Sequence, residues 1–138
     1  MNLTEISDNL PNGFHDSIID SISVDYDKRR LKFIVNIWTG DMSSPDVHKR
    51  EEFQKSVLDV YDFEYLIIEP PDESYPYKSE RQLSIDGGDY EKKEIRSRVT
   101  LPKTISEGNF RYWFFVYEWN SFIHIAAKDA KLTFEESR

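Results

Sequence analysis

Two adjacent residues near the amino terminus, His15 and Asp16, are of the types that ligate metal ions or act as a general-base pair in hydrolases. The chain has three histidines, and such a site needs at least one more of them close to His15 in the fold. A metal-dependent hydrolase using His15, Asp16 and His124 is therefore one hypothesis. The alternative is that His15 and Asp16 organise the start of the first strand, and that His124 is a partly buried side chain with satisfied hydrogen bonds.

Several other kinds of active site lack support in the sequence. The chain has no cysteine, which removes disulfide bonds, thiol nucleophiles and cysteine metal clusters. It contains no G-x-S-x-G elbow for a serine nucleophile, and Gly87-Gly88 lacks the spacing of a phosphate-binding loop. Because 26 acidic residues are spread along the chain, any glycosidase-type carboxylate pair would be an arbitrary choice. We predict that the protein uses no cofactor.

The net charge of the chain, -8 at pH 7, bears on the class of partner. Nucleic acids are bound mainly through clustered Lys and Arg, so we expect no nucleic-acid partner. The same charge would steer the protein toward a basic protein surface. One acidic run, from Asp59 to Glu73, contains six acids and no base. It is either a solvated face or a docking patch in which Asp59, Asp62 and Glu64 attract a basic partner.

The segment Phe110–Trp119 contains seven of the chain's twenty aromatic residues. As a strand it has two apolar faces, because successive side chains point to opposite sides. One face carries Trp113, Phe115, Tyr117 and Trp119, and the other carries Tyr112, Phe114 and Val116. Only one face can line the core, so the other must be covered by the rest of the chain, a partner or a ligand. Trp113, Tyr117 and Trp119 are the candidate anchors at a protein interface.

Apolar residues at every second position predict two strands in the first forty residues. The alternating residues are Ile22, Val24 and Tyr26 in the first segment, then Leu31, Phe33, Val35 and Ile37 in the second. The segment between them, residues 27–30, is short and polar. The two strands are therefore expected to form an antiparallel hairpin.

Later segments predict more strands and little helix. Residues 60–68 are rich in strand-forming residues, and residues 122–127 and 131–134 predict two further strands. The sequence Asp86-Gly87-Gly88-Asp89 predicts a turn. Residues 44–58 fit either a short helix capped near Asp46 or a strand. The predicted fold is mainly β, an antiparallel sandwich or partly closed barrel of about six to eight strands.

The length of 138 residues fits a single domain over residues 1–138. The amino-terminal sequence MNLTEISDNLPNGFHD lacks the basic start and apolar core of a signal peptide. No apolar run approaches the roughly 18 residues needed to span a bilayer. We expect a cytoplasmic protein with no membrane partner.

Three segments resemble a family of small bacterial β-rich proteins. Phe14-His15-Asp16-Ser17-Ile18 is similar to an "HDA-x-I" opening, with Ser17 where alanine is usual. Residues 25–31 resemble a "D-Y-x-x-R-x-L" hairpin, and residues 123–127 resemble an "I-x-I-x-A" strand. Some members are immunity proteins of polymorphic toxin systems. The resemblance implies a β-rich fold and an immunity role, and it implies no catalytic residue.

The leading hypothesis is a non-catalytic binding protein that occludes a basic toxin, because acidic charge and an aromatic strand occur together. The metal-dependent hydrolase is the second hypothesis. A homodimer that buries the aromatic strand 110–119 between two copies is the third.

Overall fold

The computed structural model describes residues 1–136. Two short helices are present in this range, α1 (Leu3–Asp8) and α2 (Val47–Arg50). The same range contains eight strands: β1 (Ser17–Asp25), β2 (Arg30–Trp38), β3 (Phe53–Tyr61), β4 (Tyr65–Ile68), β5 (Leu83–Gly88), β6 (Phe110–Val116), β7 (Ser121–Ala127) and β8 (Asp129–Phe134). The predicted mainly β fold is confirmed.

All eight strands belong to one antiparallel sheet with the order β4-β7-β6-β5-β1-β2-β3-β8. Its two ends meet, because β3 continues into β4 after a short bend and β7 continues into β8 after Lys128 alone. The Glu64 N–H donates to the Ala126 carbonyl at 2.7 Å, and the Lys128 N–H donates to the Tyr61 carbonyl at 3.2 Å. These bonds join the β3–β8 and β4–β7 ladders, so the sheet curls into a partly closed barrel.

The hairpin of β1 and β2 is confirmed, and the inward face of β2 is as predicted. Leu31, Phe33, Val35 and Ile37 are all completely buried. The inward face predicted for β1 is wrong beyond Ile22, because Val24 is 39% and Tyr26 68% exposed. A bulge between Ile19 and Ser21 shifts the register, and the end of the hairpin extends past the core.

Residues 44–58 contain both of the structures that the sequence allowed. The Asp46 carboxylate accepts a hydrogen bond from the His48 N–H and caps α2, which lasts four residues. The chain then enters β3, where Leu58 and Val60 point into the core. Helix α1 was not predicted, although Asn2 and Glu5 form a capping box at its start.

The turn predicted at Asp86–Asp89 is wrong, because Gly87 and Gly88 lie inside β5 and pair with Phe114 and Trp113. A Cβ on Gly88 would lie 2.0 Å from Cζ2 of Trp113, so this glycine leaves room for the indole ring. Because Gly88 has no side chain, the Trp113 indole can pack closely against β5.

The aromatic strand predicted over residues 110–119 is too long, since β6 ends at Val116. Residues 117–120 form a turn in which Asn120 has a φ of 48°. Trp119 therefore leaves the strand face and packs against the core from the turn. The core joins the inner faces of the strands to Leu3 and Ile6 of α1. No helix within residues 1–136 is both long enough and apolar enough to cross a membrane.

Candidate functional site

The outer face of β6 carries Trp113 and Phe115, while Tyr112, Phe114 and Val116 point into the core. Two rows of cross-strand neighbours cross this outer face. The first row is Gly88, Trp113, His124 and Ile67, and the second row is Asp86, Phe115 and Phe122. The rows place a histidine and a carboxylate on an aromatic surface outside the barrel.

The outer face is covered by the connection between β5 and β6, residues 89–109, which we call the strap. Polar contacts attach the strap to the barrel at intervals. The Thr4 hydroxyl donates to Asp89 at 3.1 Å, and the Ser106 N–H donates to Glu64 at 2.6 Å. Trp113 is only 3% exposed as a result. The strap therefore covers Trp113 on the outer face of β6.

Beneath the strap, His124 forms a buried polar network with Glu69 and Tyr90. Nε2 of His124 lies 2.6 Å from Oε2 of Glu69, and both side chains are completely buried. Because the carboxylate can only accept, Nε2 of His124 carries a proton, and Nδ1 is hydrogen-bonded to the Tyr90 hydroxyl. The Tyr90 ring also stacks against the imidazole. The network joins β7, the segment after β4, and the start of the strap.

Four hydrogen-bond donors converge on the Glu69 carboxylate. Besides His124, they are the Ser97 hydroxyl at 2.8 Å, the Arg98 N–H at 3.2 Å and the Phe122 N–H at 3.1 Å. Burial raises the pKa of Glu69, but the hydrogen bonds from His124, Ser97 and Phe122 outweigh it and leave the pKa below its ordinary value. Glu69 is an ionised, fully hydrogen-bonded carboxylate.

Ser97, His124 and Glu69 are the residue types of a hydrolase triad, but their arrangement differs from one. The Ser97 Oγ lies 2.8 Å from both the Val99 carbonyl oxygen and Oε2 of Glu69, and 3.4 Å from the same imidazole nitrogen that faces Glu69. A triad needs the serine and the carboxylate on opposite nitrogens of the histidine. With His124 and Glu69 fully buried, the cluster is suited to holding the strap.

Asp59, Asp62 and Glu64 were predicted to attract a basic partner. The structure shows where each lies and which residues of the chain are near it. Asp59 lies opposite Lys32 and Lys131 in the sheet, and Arg30 approaches it at 3.5 Å. Asp62 has a φ of 51° at the bend between β3 and β4.

Glu64 accepts from the Ser106 N–H and the Asn109 amide, both at the end of the strap. Asp72, from the same acidic run, binds the Arg98 guanidinium at 3.2 Å. With Glu69, three of the six acids in this run anchor the strap.

His15 and Asp16 lie on the surface, apart from the buried network. Nε2 of His15 is 3.4 Å from Asp16, and Nδ1 is 3.6 Å from Asp86 and 3.5 Å from the Tyr117 hydroxyl. In the part of the chain that the structure describes, His15 and His124 share no hydrogen-bonding partner. Within residues 1–136, no group of three or more His, Asp or Glu side chains is arranged to hold a metal ion.

An open groove of about 390 Å³ lies between the strap and the outer face, next to His15. Its walls are Trp113, Phe115, Tyr117 and Phe122 from the barrel side, and Lys93, Glu94 and Ile95 from the strap, with Asp86 beside them. The Trp113 indole N–H is buried and has no hydrogen-bond partner among residues 1–136. Partial burial raises the pKa of Tyr117, and the nearby carboxylates of Asp86 and Asp16 raise it further.

The three predicted anchors have different exposures. Tyr117 is 39% exposed at the groove, Trp113 lies beneath the strap, and Trp119 is half-buried in the turn. Glu69, Tyr90 and Asp86 were not identified from the sequence. A signal for Glu69 was its position directly after the apolar strand residues Ile67 and Ile68, where a charged side chain needs a partner.

Comparison of the chain with protein-family models, curated proteins and solved structures finds no match. Function is therefore inferred from the residues and their geometry.

Proposed function

We propose that the chain is a non-catalytic binding protein that recognises a protein with a basic surface, in the manner of an immunity protein that occludes a toxin. One observation carries the proposal. Tyr117 is exposed beside an aromatic groove, with the carboxylates of Asp16 and Asp86 close to its hydroxyl. An exposed tyrosine next to an apolar recess is the kind of anchor that dominates protein interfaces.

The distribution of acidic residues supports an interface on this side of the barrel. Three acids of the run 59–73 bind the strap, so they are less able to attract a partner. The acidic residues Asp16 and Asp20, at the start of the first hairpin, are exposed instead. Together with Asp86 they would raise the rate of encounter with a cationic protein.

The proposal assigns no catalytic step to the histidines. His124 and Glu69 are sealed from solvent, so a substrate cannot reach them while the strap is in place. His15 is half exposed, and its nearest carboxylate atoms are 3.4 and 3.6 Å away. Both distances are longer than an ordinary hydrogen bond, and the proposed function gives His15 no catalytic role.

The test is a binding measurement with the purified products of neighbouring genes. We expect one of them to bind at micromolar concentration or tighter, and the affinity to fall as salt is raised from 50 to about 500 mM because screening shortens the reach of the charges. Tyr117→Ala should weaken binding about tenfold or more. Tyr26→Ala is the matched control, since Tyr26 is 68% exposed at the far end of the hairpin. Equal affinities of the two variants, or no partner at micromolar concentration, would contradict the proposal.

A further inference from the structure

We propose that the groove beside Tyr117 binds an arginine side chain of the partner. This inference rests on the proposed function, because it supposes that the partner is a protein with a basic surface. It adds the chemical group that the groove recognises and the residues that recognise it.

The aromatic walls are the first reason for a cationic ligand. The Trp113 and Phe122 rings meet edge to face at 5.4 Å, the Phe115 and Phe122 rings at 5.1 Å, and the Phe115 and Tyr117 rings at 5.5 Å. Four contacting aromatic rings thus form one continuous wall. Aromatic rings attract cations through their quadrupole and provide apolar area for the methylene groups of a long side chain.

Charge is the second reason. Asp86 and Glu94 both line the groove, and Asp16 lies close enough to act on the Tyr117 hydroxyl. Lys93 is the single base on the same lining, so the carboxylates are in excess. Asp86 is held in place because it is the cross-strand neighbour of Phe115 and accepts a hydrogen bond from the Gly87 N–H at 3.0 Å. A cation is therefore the complementary ligand.

The combination favours arginine over lysine. The guanidinium group is planar and weakly hydrated, so it can stack on an aromatic ring while its N–H groups reach a carboxylate. A lysine ammonium is strongly hydrated and loses more solvation in an aromatic recess. The groove, at about 390 Å³, has room for one such side chain.

The test uses N-acetyl-arginine amide as the probe and N-acetyl-citrulline amide as its neutral isostere. The chain has three tryptophans, so a nitrogen–proton correlation spectrum contains three indole signals, and Trp113→Phe identifies the one from the groove. We expect arginine to shift the Trp113 indole signal and the backbone signals of Asp86 and Tyr117. Citrulline should bind at least about tenfold more weakly than arginine, a difference of about 1.4 kcal/mol.

Two variants test the recognition directly. Tyr117→Ala and Asp86→Asn should each weaken arginine binding severalfold, whereas Tyr26→Ala should leave it unchanged. Lys93→Ala should strengthen it, because a like charge is removed. Thermal unfolding of each variant verifies that the fold is kept. Equal binding of arginine and citrulline, shifts centred on Trp38, or no shift at 50 mM probe would overturn the inference.

The outcomes for the groove and for the proposed function are separable. The arginine inference is overturned if a protein partner binds wild type and Asp86→Asn equally and the arginine probe does not shift the Trp113 indole signal. The proposed binding function would still hold in that case. Arginine binding at the groove without any protein partner overturns the binding function instead.

Discussion

Nε2 of His124 lies 2.6 Å from the carboxylate of Glu69, and neither side chain has any exposed surface. A histidine and a glutamate buried outside the main core are costly to desolvate, so their hydrogen bonds must offset that cost. The pair joins β7 to the segment after β4, and through Tyr90 and Ser97 it holds the strap over the aromatic face.

Glu69→Gln should lower the free energy of unfolding by about 2 kcal/mol. Four donors face this carboxylate, and the amide nitrogen of glutamine would point at one of them. Urea unfolding at pH 7 measures the loss. Glu73→Gln is the control, because Glu73 is an exposed acid of the same run. If Glu69→Gln and Glu73→Gln have the same stability, the stabilising role given to the Glu69 carboxylate is wrong.

Acid should remove the contribution of Glu69. Its pKa in the folded protein is below the ordinary value of 4.5, so the folded state binds fewer protons than the unfolded state as the pH falls past that value. The stabilisation is complete above pH 4.5 and is lost as the pH falls through the lower folded pKa. Urea unfolding of wild type and Glu69→Gln between pH 7 and 3 should therefore show a difference that shrinks below pH 4.5. If the difference in unfolding free energy between the two proteins does not change with pH, the predicted loss of stabilisation in acid is wrong.

Arg98→Ala should loosen the strap while changing global stability by less than about 1 kcal/mol, since the ion pair is partly exposed. Arg98 donates to Asp72 at 3.2 Å and also to the Asn120 carbonyl. Hydrogen exchange read by mass spectrometry should be faster across residues 89–109 and unchanged in β2. Arg96→Ala serves as the control from the same segment. Unchanged strap exchange in Arg98→Ala would show that this anchor is dispensable.

Gly88→Ala should destabilise the protein by about 1 to 3 kcal/mol. The new Cβ would overlap the Trp113 ring, with 2.0 Å to Cζ2 and 2.4 Å to Cε2. The cost should fall in a Trp113→Leu background, because the side chain that lies over Gly88 is then smaller. A double-mutant cycle by urea unfolding measures this coupling. Additive effects of the two substitutions would mean that the contact is not the cause.

The alternation of apolar and polar residues along the chain was sufficient to predict much of the fold. The period-two pattern of β2 identified its buried face residue by residue, and the first hairpin followed from the polar segment between two such strands. Gly87 and Gly88 were misinterpreted because their local preference is for a turn. Their place inside β5 is decided by the rings of Tyr112 and Trp113, which come from a strand more than twenty residues later.

The buried network of His124, Glu69 and Tyr90 could not be predicted from local sequence patterns. Glu69 was counted among the surface acids, and its burial depends on the pairing of Ile67 with His124 across the closing ladder. The residue type of Tyr117 predicts an anchor, while the groove beside it requires Asp86 and the strap to be in place. The aromatic residues could therefore be found from the sequence, whereas the segment that covers them could not.

The meeting of the sheet's two ends imposes an order on folding. Glu69 and His124 are 55 residues apart in the chain, and the ladder between β4 and β7 brings them together. Contacts between residues far apart in the chain generally form more slowly than local ones, so we expect the first hairpin to form before this ladder. The strap has no complete anchor until the ladder exists. We therefore expect residues 89–109 to be the last segment to become resistant to protease during refolding, after β1 and β2 have paired.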